Sequence, residues 1–339
     1  MVRCGIIGAG IMGELHAKAC HQFAGSQLVA LCDVNEEKAG ALAERYHVTD
    51  VFTDYKKMLD SCDLDAVHVL TPDFAHRDPV VHALDAGKNV IVEKPMATTL
   101  EDAEQMRDFA KKSPGILMIN FCNRWLPVYQ HVKKAIVSSE IGTIKHIYCR
   151  ISNTIDVPLQ MIKAWSDKTS PTEFLLPHMV DLVRWFIVEE AEEVYAMTTE
   201  GFLKEQGVDT HDSLMCLVRF PSGATVCFET SWILPRSLPT VVDYCIELVG
   251  TKGAVYTDGK TESIQKYAEK AEFPRSFVID THTGKGIGFF YEQLYHFFDC
   301  VSDRSIKPIC NEDDGYKNTE LLVAALRSAK NRLPVKLPL

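Results

Sequence analysis

The chain has 339 residues, room for about two domains, and 46% of them are hydrophobic and 24% charged, the balance of an ordinary globular protein. A net charge of −10 argues against nucleic acid as a partner, because that binding rests on Lys and Arg neutralising phosphates. No apolar run approaches the roughly 18 residues that a membrane helix needs, so no membrane partner is expected.

In chain order, an apolar run from Val2 to Ile7 ends on Gly8-Ala9-Gly10-Ile11-Met12-Gly13, and an amphipathic stretch follows at once. Strand, Gly-x-Gly-x-x-Gly and helix are what a dinucleotide site requires. The glycines permit a tight turn and close approach of backbone to a pyrophosphate, and the helix N-terminus offers N–H groups and its positive dipole end. Gly8, Gly10, Ile11, Met12 and Gly13 are therefore candidate cofactor contacts. A second apolar run, Leu28 to Cys32, ends at Asp33, twenty positions after Gly13, where a carboxylate would bind the adenosine ribose 2′-OH. The N-terminus enters its strand without the basic, apolar and small-residue order of a secretory leader, so none is expected.

Glu36 to Tyr46 has helical composition, and Ala66 to Leu70 is a strand ending at Thr71-Pro72-Asp73. Phe74 to Ala86 reads as a helix closed by Gly87. Asn89 to Val92 is the next strand, ending at Glu93-Lys94-Pro95; a helix from Leu100 to Lys112 and a strand from Ile116 to Phe121 follow. Strands separated by helices predict a Rossmann-type doubly wound parallel sheet over residues 1–122. Ligands of such sheets lie outside the carboxyl ends of the strands, which singles out Gly8, Asp33, Thr71, Pro72, Glu93, Lys94 and Asn120 to Arg124. Lys94, kept extended by the following proline, can hydrogen-bond a substrate oxygen and pass a proton, with Glu93 orienting it or the nicotinamide ribose. A solvated turn lysine is the competing reading.

The pattern changes after Arg124. A helix from Pro127 to Ser139 precedes runs rich in β-branched and aromatic residues at 144–154, 194–199, 213–220, 224–232 and 244–249, with Pro221-Ser222-Gly223 as a hairpin turn. Helices at 290–301 and 315–331 close the chain. Residues 123–339 are thus expected to form an α+β substrate-binding and oligomerisation domain with a large, mostly antiparallel open sheet. Its open face would cover the crevice or a partner subunit, making a homodimer or homotetramer. Within Pro177 to Trp185, His178, Asp181 and Trp185 share one helical face, as do Asp181 and Arg184. An imidazole suits proton abstraction from an alcohol, whereas a packed His178 and an Asp181–Arg184 pair are the plainer alternative. Eleven cysteines, an odd number with no Cys-x-x-Cys and several inside apolar runs, read as small buried hydrophobes in a reducing cytoplasm; no metal site is expected.

These pieces together resemble the glucose–fructose oxidoreductase/inositol dehydrogenase (Gfo/Idh/MocA) family over nearly the whole chain. The resemblance is carried by Gly8 to Gly13, Thr71-Pro72-Asp73 with His76, Ala86 to Pro95, Phe121 to Pro127, Asp212, the hairpin from Phe220 to Trp232 and Glu247 to Gly253. It implies an NAD(P)-dependent oxidoreductase acting on a sugar, cyclitol or related polyol. Lys94 and His178 match its catalytic lysine and histidine, and Thr71, Pro72, His76, Glu93 and Lys94 fall in its cofactor site. Arg124, Asp181 and Arg184 fall where members shape the substrate pocket, and Trp165 is placed with them. Asp33 implies NAD over NADP, because a carboxylate repels a 2′-phosphate. Many members carry an Asp four residues before the histidine; here that position is Phe174, which makes that wall more apolar.

The expected function is hydride transfer between NAD and a hydroxyl or keto carbon of a sugar-like substrate, with Lys94 polarising the oxygen and His178 taking its proton. A redox-assisted glycosidase or lyase, with Glu173 or Asp156 as a further acid, and a non-catalytic NAD- and sugar-binding sensor stay open as alternatives.

Overall fold

The computed structural model describes residues 1–261 and 264–339. The first third of the chain alternates β1 (Val2–Ile7), α1 (Ile11–Gln22), β2 (Ser26–Cys32), α2 (Glu36–Tyr46), β3 (Asp50–Phe52), α3 (Tyr55–Ser61), β4 (Ala66–Val69), α4 (Arg77–Asp85), β5 (Asn89–Val92), α5 (Leu100–Lys112) and β6 (Leu117–Ile119). The strands form one sheet in the order β3-β2-β1-β4-β5-β6, all parallel. The order reverses direction between β1 and β4, the switch point at which ligands of such sheets bind. The helix expected over 74–86 starts later: Asp73–Ala75 is a 3₁₀ turn and α4 begins at Arg77.

After a 3₁₀ turn at Cys122–Trp125 come α6 (Pro127–Val137), β7 (Ile144–Thr154), α7 (Pro171–Ile187), β8 (Glu193–Thr199), α8 (Phe202–Glu205), β9 (Ser213–Arg219), β10 (Thr225–Leu234), β11 (Val242–Gly250) and β12 (Ala254–Tyr256). Two short hairpins follow, β13 (Lys266–Tyr267) with β14 (Ala271–Glu272) and β15 (Ile279–Asp280) with β16 (Gly286–Ile287). The chain closes with α9 (Phe289–Ser302), α10 (Glu312–Asn331) and β17 (Val335–Lys336). The second large sheet runs β12-β11-β7-β10-β9-β8-β17 and is antiparallel except at β7–β10. α7 packs on β7, β9 and β10. Among the described residues, no helix is long and apolar enough to cross a membrane.

The chain divides into two compact units, residues 1–122 with 277–316 and residues 123–276 with 317–339. A single boundary after residue 122 therefore misses a return of the chain. Residues 277–316 belong to the first unit because α9 carries Phe290, Phe297 and Phe298, all fully buried, onto it; Phe297 and Phe298 lie against His68 of β4 and Phe290 against His16 of α1. That apolar helix gives the sheet a layer that the alternating pattern of the first 122 residues cannot supply by itself.

The glycine turn after β1 is fixed by close packing. Gly8 has φ +109°, and a Cβ there would lie 2.5 Å from the Leu70 carbonyl oxygen. A Cβ on Gly13 would lie 2.3 Å from the Gly8 carbonyl oxygen. Both contacts are to backbone, which cannot rotate away. We predict that Gly13→Ala lowers stability by about 1–3 kcal/mol, as overpacking does. Thermal and denaturant melts would show it, and an unchanged midpoint would contradict the packing argument.

Candidate active site

The candidate residues fall in both units. In the first, Gly8 follows β1, Asp33 follows β2, Thr71 and Pro72 lie just beyond β4, Glu93 and Lys94 follow β5 and Asn120 follows β6. All are at the carboxyl edge of the parallel sheet. The turn has the form a dinucleotide needs. Gly10 is exposed, a Cβ there would meet nothing within 4 Å, and no side chain caps the first turn of α1. That leaves helix N–H groups for an anionic group. Ile11 is exposed, Met12 is half-buried and Gly13 is buried. Asp33 is half-buried, and its two oxygens accept hydrogen bonds from the Ala9 N–H at 2.7 Å and the Asn35 N–H at 2.8 Å. The carboxylate is thus clamped next to the glycine turn while keeping lone pairs for ribose hydroxyls.

Beyond β4, Thr71 Oγ donates to the Ala75 carbonyl at 3.0 Å. Buried His76 faces the Pro95 carbonyl through Nδ1 and the Thr71 carbonyl through Nε2, each at 2.9 Å. It ties the Thr71–Pro72 turn to the segment after Lys94, so its place is that of a strut between two cofactor-loop candidates. Glu93 is buried; its Oε2 accepts from the Lys94 N–H at 3.2 Å and its Oε1 accepts from the Asn120 side-chain amide. Burial pushes Glu93 up, but His16, Lys94 and Asn120 outweigh it and hold the carboxyl below its ordinary value. Burial pulls the half-buried Lys94 ammonium down, against Glu93, Asp73 and Cys122, which favour its charged form. The Lys94–Pro95 peptide is cis.

In the second unit, Ser170 caps α7 by accepting from the Glu173 N–H at 3.3 Å, and Pro171 takes the first helical position. His178 is half-buried in the middle of this helix. Asp181 and Arg124 form a buried two-pronged pair, Arg124 Nε to Oδ2 at 2.9 Å and Nη2 to Oδ1 at 2.6 Å, with the guanidinium also 5.9 Å from the Trp185 ring. Arg184 donates to Glu190 at 2.8 and 2.6 Å. The sequence alternative that coupled Asp181 to Arg184 thus overlooked the longer-range partners Arg124 and Glu190. Phe174 lies against the rings of Trp165 and Trp232, at centroid separations of 6.1 and 5.6 Å. His178 is one turn further along that helix.

Sequence reasoning named Asn120 only as a strand end and missed His16 altogether. The signal was a histidine at a core position of α1, one turn before another polarisable residue, Cys20.

A doubly wound nucleotide-binding unit joined to an α+β unit with a large open sheet defines a two-part oxidoreductase architecture. The family model described as "Oxidoreductase family, NAD-binding Rossmann fold" matches residues 2–121, and the "GFO/IDH/MocA C-terminal domain" matches residues 129–256. The chain belongs to the GFO/IDH/MocA family. It is 27% identical over 343 aligned positions, 99% of this chain and 96% of the relative, to scyllo-inositol 2-dehydrogenase (NAD(+)) of Bacillus subtilis. It is 33% identical over 235 positions, 68% of this chain and 66% of the relative, to inositol 2-dehydrogenase of Acidothermus cellulolyticus. The crystal structure of myo-inositol 2-dehydrogenase from Lactobacillus plantarum shares the fold, with a TM-score of 0.86 at 21% identity and 99% of each chain covered.

The Arg124–Asp181 pair yields a direct test. Asp181→Asn leaves the guanidinium buried without its counter-charge and is predicted to cost about 3–5 kcal/mol. Chemical denaturation would measure it; a cost below about 1 kcal/mol would mean that the pair is not held as described.

Proposed function

We propose that this protein is an NAD-dependent oxidoreductase that moves a hydride between nicotinamide and a hydroxyl or keto carbon of a cyclitol, sugar or related polyol. The observation that carries the reading is the row of Gly8–Gly13, Asp33 and Glu93–Lys94 along one carboxyl edge, in a chain similar over its full length to an NAD-dependent inositol dehydrogenase. The uncapped α1 N-terminus and the open Gly10 fit a pyrophosphate, and the Asp33 carboxylate fits ribose hydroxyls and repels a 2′-phosphate, favouring NAD over NADP. A bound nicotinamide supplies the hydride acceptor. Lys94 polarises the reacting oxygen and stabilises charge developing on it, and His178 takes the hydroxyl proton. Arg124, Trp165, Asp181 and Arg184 shape the substrate-binding wall; Arg124 does so as a guanidinium pre-set by Asp181. The eleven free cysteines support a cytoplasmic, reducing setting.

The test is turnover. Purified protein scanned with cyclitols and sugars should form NADH, and NAD should raise the melting temperature more than NADP does. Lys94→Ala should lower kcat by about 10²–10⁴-fold while the NAD-induced thermal shift persists. Equal turnover by this variant would remove Lys94 from the mechanism.

The same reading includes a homodimer or homotetramer formed through the second sheet. Tyr195, Met197, Met215 and Leu217 project from one sheet face, where Met197 opposes Met215 and Tyr195 opposes Leu217. Met197, Met215 and Leu217 remain 64%, 51% and 59% exposed in the single chain, a contiguous apolar surface of the kind that marks an interface. Light scattering after gel filtration should report a dimer or tetramer, and Met215→Glu with Leu217→Glu should reduce it to a smaller species. A monomeric parent protein would refute this part.

A further inference from the structure

Behind Glu93, a file of polar side chains runs into the apolar core of the first unit. His16 Nε2 lies 3.8 Å from Glu93 Oε1, His16 Nδ1 lies 2.8 Å from His68 Nδ1, and His68 Nε2 lies 3.9 Å from Cys20 Sγ. His16 and His68 are fully buried and Cys20 nearly so. Three elements build the file. His16 and Cys20 are one turn apart on α1, His68 is inside β4, and Glu93 ends β5. Phe290, Phe297 and Phe298 of α9 close its flank with hydrocarbon.

Two imidazoles that meet Nδ1 to Nδ1 cannot both donate. Burial lowers the pKa of each, so both are read as neutral, with one proton apiece. Only two arrangements remain. In one, His68 Nδ1–H donates to His16 Nδ1, which puts the His16 proton on Nε2, facing the carboxylate. In the other, His16 Nδ1–H donates to His68, and the bare Nε2 lone pair of His16 faces the ionised Glu93. The second sets lone pair against lone pair in a low-dielectric interior, where such a clash is least screened. The first also leaves His68 Nε2 as the acceptor for the Cys20 thiol. Burial pushes the Cys20 thiol up, while Cys4 and His68 pull it down to about 6, so its protonation is what decides between the two arrangements.

We infer that Cys20, His68 and His16 form a one-directional hydrogen-bond relay that aims the His16 Nε2–H at the Glu93 carboxylate, making His16 and His68 positioning residues for the Glu93–Lys94 pair. The relay ends in the core at Cys20 and Cys4, both buried, so it has no outlet to water and conducts no proton; it fixes charge and orientation. The groups that face it are Cys4 from β1, Cys20 from α1, Glu93 and Lys94 after β5 and Asn120 after β6, and Asp73 acts on Lys94. The inference rests on the proposed function in so far as Glu93 and Lys94 serve the reaction.

Two measurements test it separately from that function. Imidazole ¹⁵N–¹H correlation spectra of the full-length protein, assigned with His16→Gln and His68→Asn, should show His68 protonated on Nδ1 and His16 on Nε2. The reverse tautomers, which a Cys20 thiolate would impose, overturn the proposal even if no substrate is ever found. With an active polyol, His68→Leu should move the acidic limb of the kcat/KM–pH profile upward by about one pH unit, because Glu93 loses support for its ionised form. His68→Asn, which keeps a donor near the Nδ1 position, should restore most of the parent profile. Identical profiles for the parent, His68→Leu and His68→Asn proteins would also overturn it. Absence of turnover by the parent protein counts against the proposed function and leaves the spectra to decide the relay.

Discussion

Glu93 is a carboxylate held out of water at the end of a parallel strand, and that constraint organises the first unit. A buried charge is tolerated only where other groups supply what water would have given. Here the supply comes from the Asn120 amide, the Lys94 backbone N–H, the Lys94 charge and the His16 ring. These groups come from β6, β5 and α1, so the carboxylate is accommodated only when the doubly wound order is complete. The reversal of strand order between β1 and β4 places the glycine turn on the same edge. Fold and candidate chemistry are therefore conditions on one another. The sheet brings the compensating groups to Glu93, and Glu93 with them fixes the segment from which Lys94 projects.

The second unit meets a similar constraint by other means. Arg124 is buried with Asp181 as a planar two-pronged pair, which gives each charge an opposite charge at short range. The pair joins the 3₁₀ turn at Cys122–Trp125 to the middle of α7. Trp185, one turn beyond Asp181, adds its ring to the same guanidinium. Between its cap at Ser170 and this anchor, α7 presents Phe174 to Trp165 and Trp232. The aromatic packing explains how a phenyl ring is held at a position where the family resemblance leads one to expect an acid. It sits half-buried among those rings.

The fold was legible where local signals were strong. The strand, glycine turn, helix, strand and Asp33 of the first unit follow from periodicity and turn chemistry, and the strands at 144–154 and 213–219 match their apolar runs closely. The return of residues 277–316 to the first unit was not legible, because the aromatic run of α9 says that the helix is buried but nothing local says which sheet it covers. The same reason separates what was read of the site from what was missed. Lys94 and Asp33 stand at strand ends, where one sequence position implies one place in space. The partners of Arg124 and Arg184 depend on contacts 57 and 6 residues away that no spacing rule distinguishes from an Asp181–Arg184 pair. His68 looked like one polar residue in a buried strand, and only the three-dimensional neighbourhood reveals His16 beside it.

Directionality is the property that these buried networks share. A carboxylate alone accepts from any side, and an imidazole alone can donate from either nitrogen. Once His68 and His16 are fixed face to face by Nδ1, the proton on one dictates the proton on the other. The Arg124 guanidinium is constrained in the same way, since its planar fork admits Asp181 in one orientation. In both units the polar groups are buried at a cost in desolvation that hydrophobic side chains would have avoided, and what the molecule gains is a narrow choice of arrangements. That is why substitutions that keep size but lose a donor, rather than those that merely enlarge or shrink a side chain, discriminate between a structural and a positioning role here.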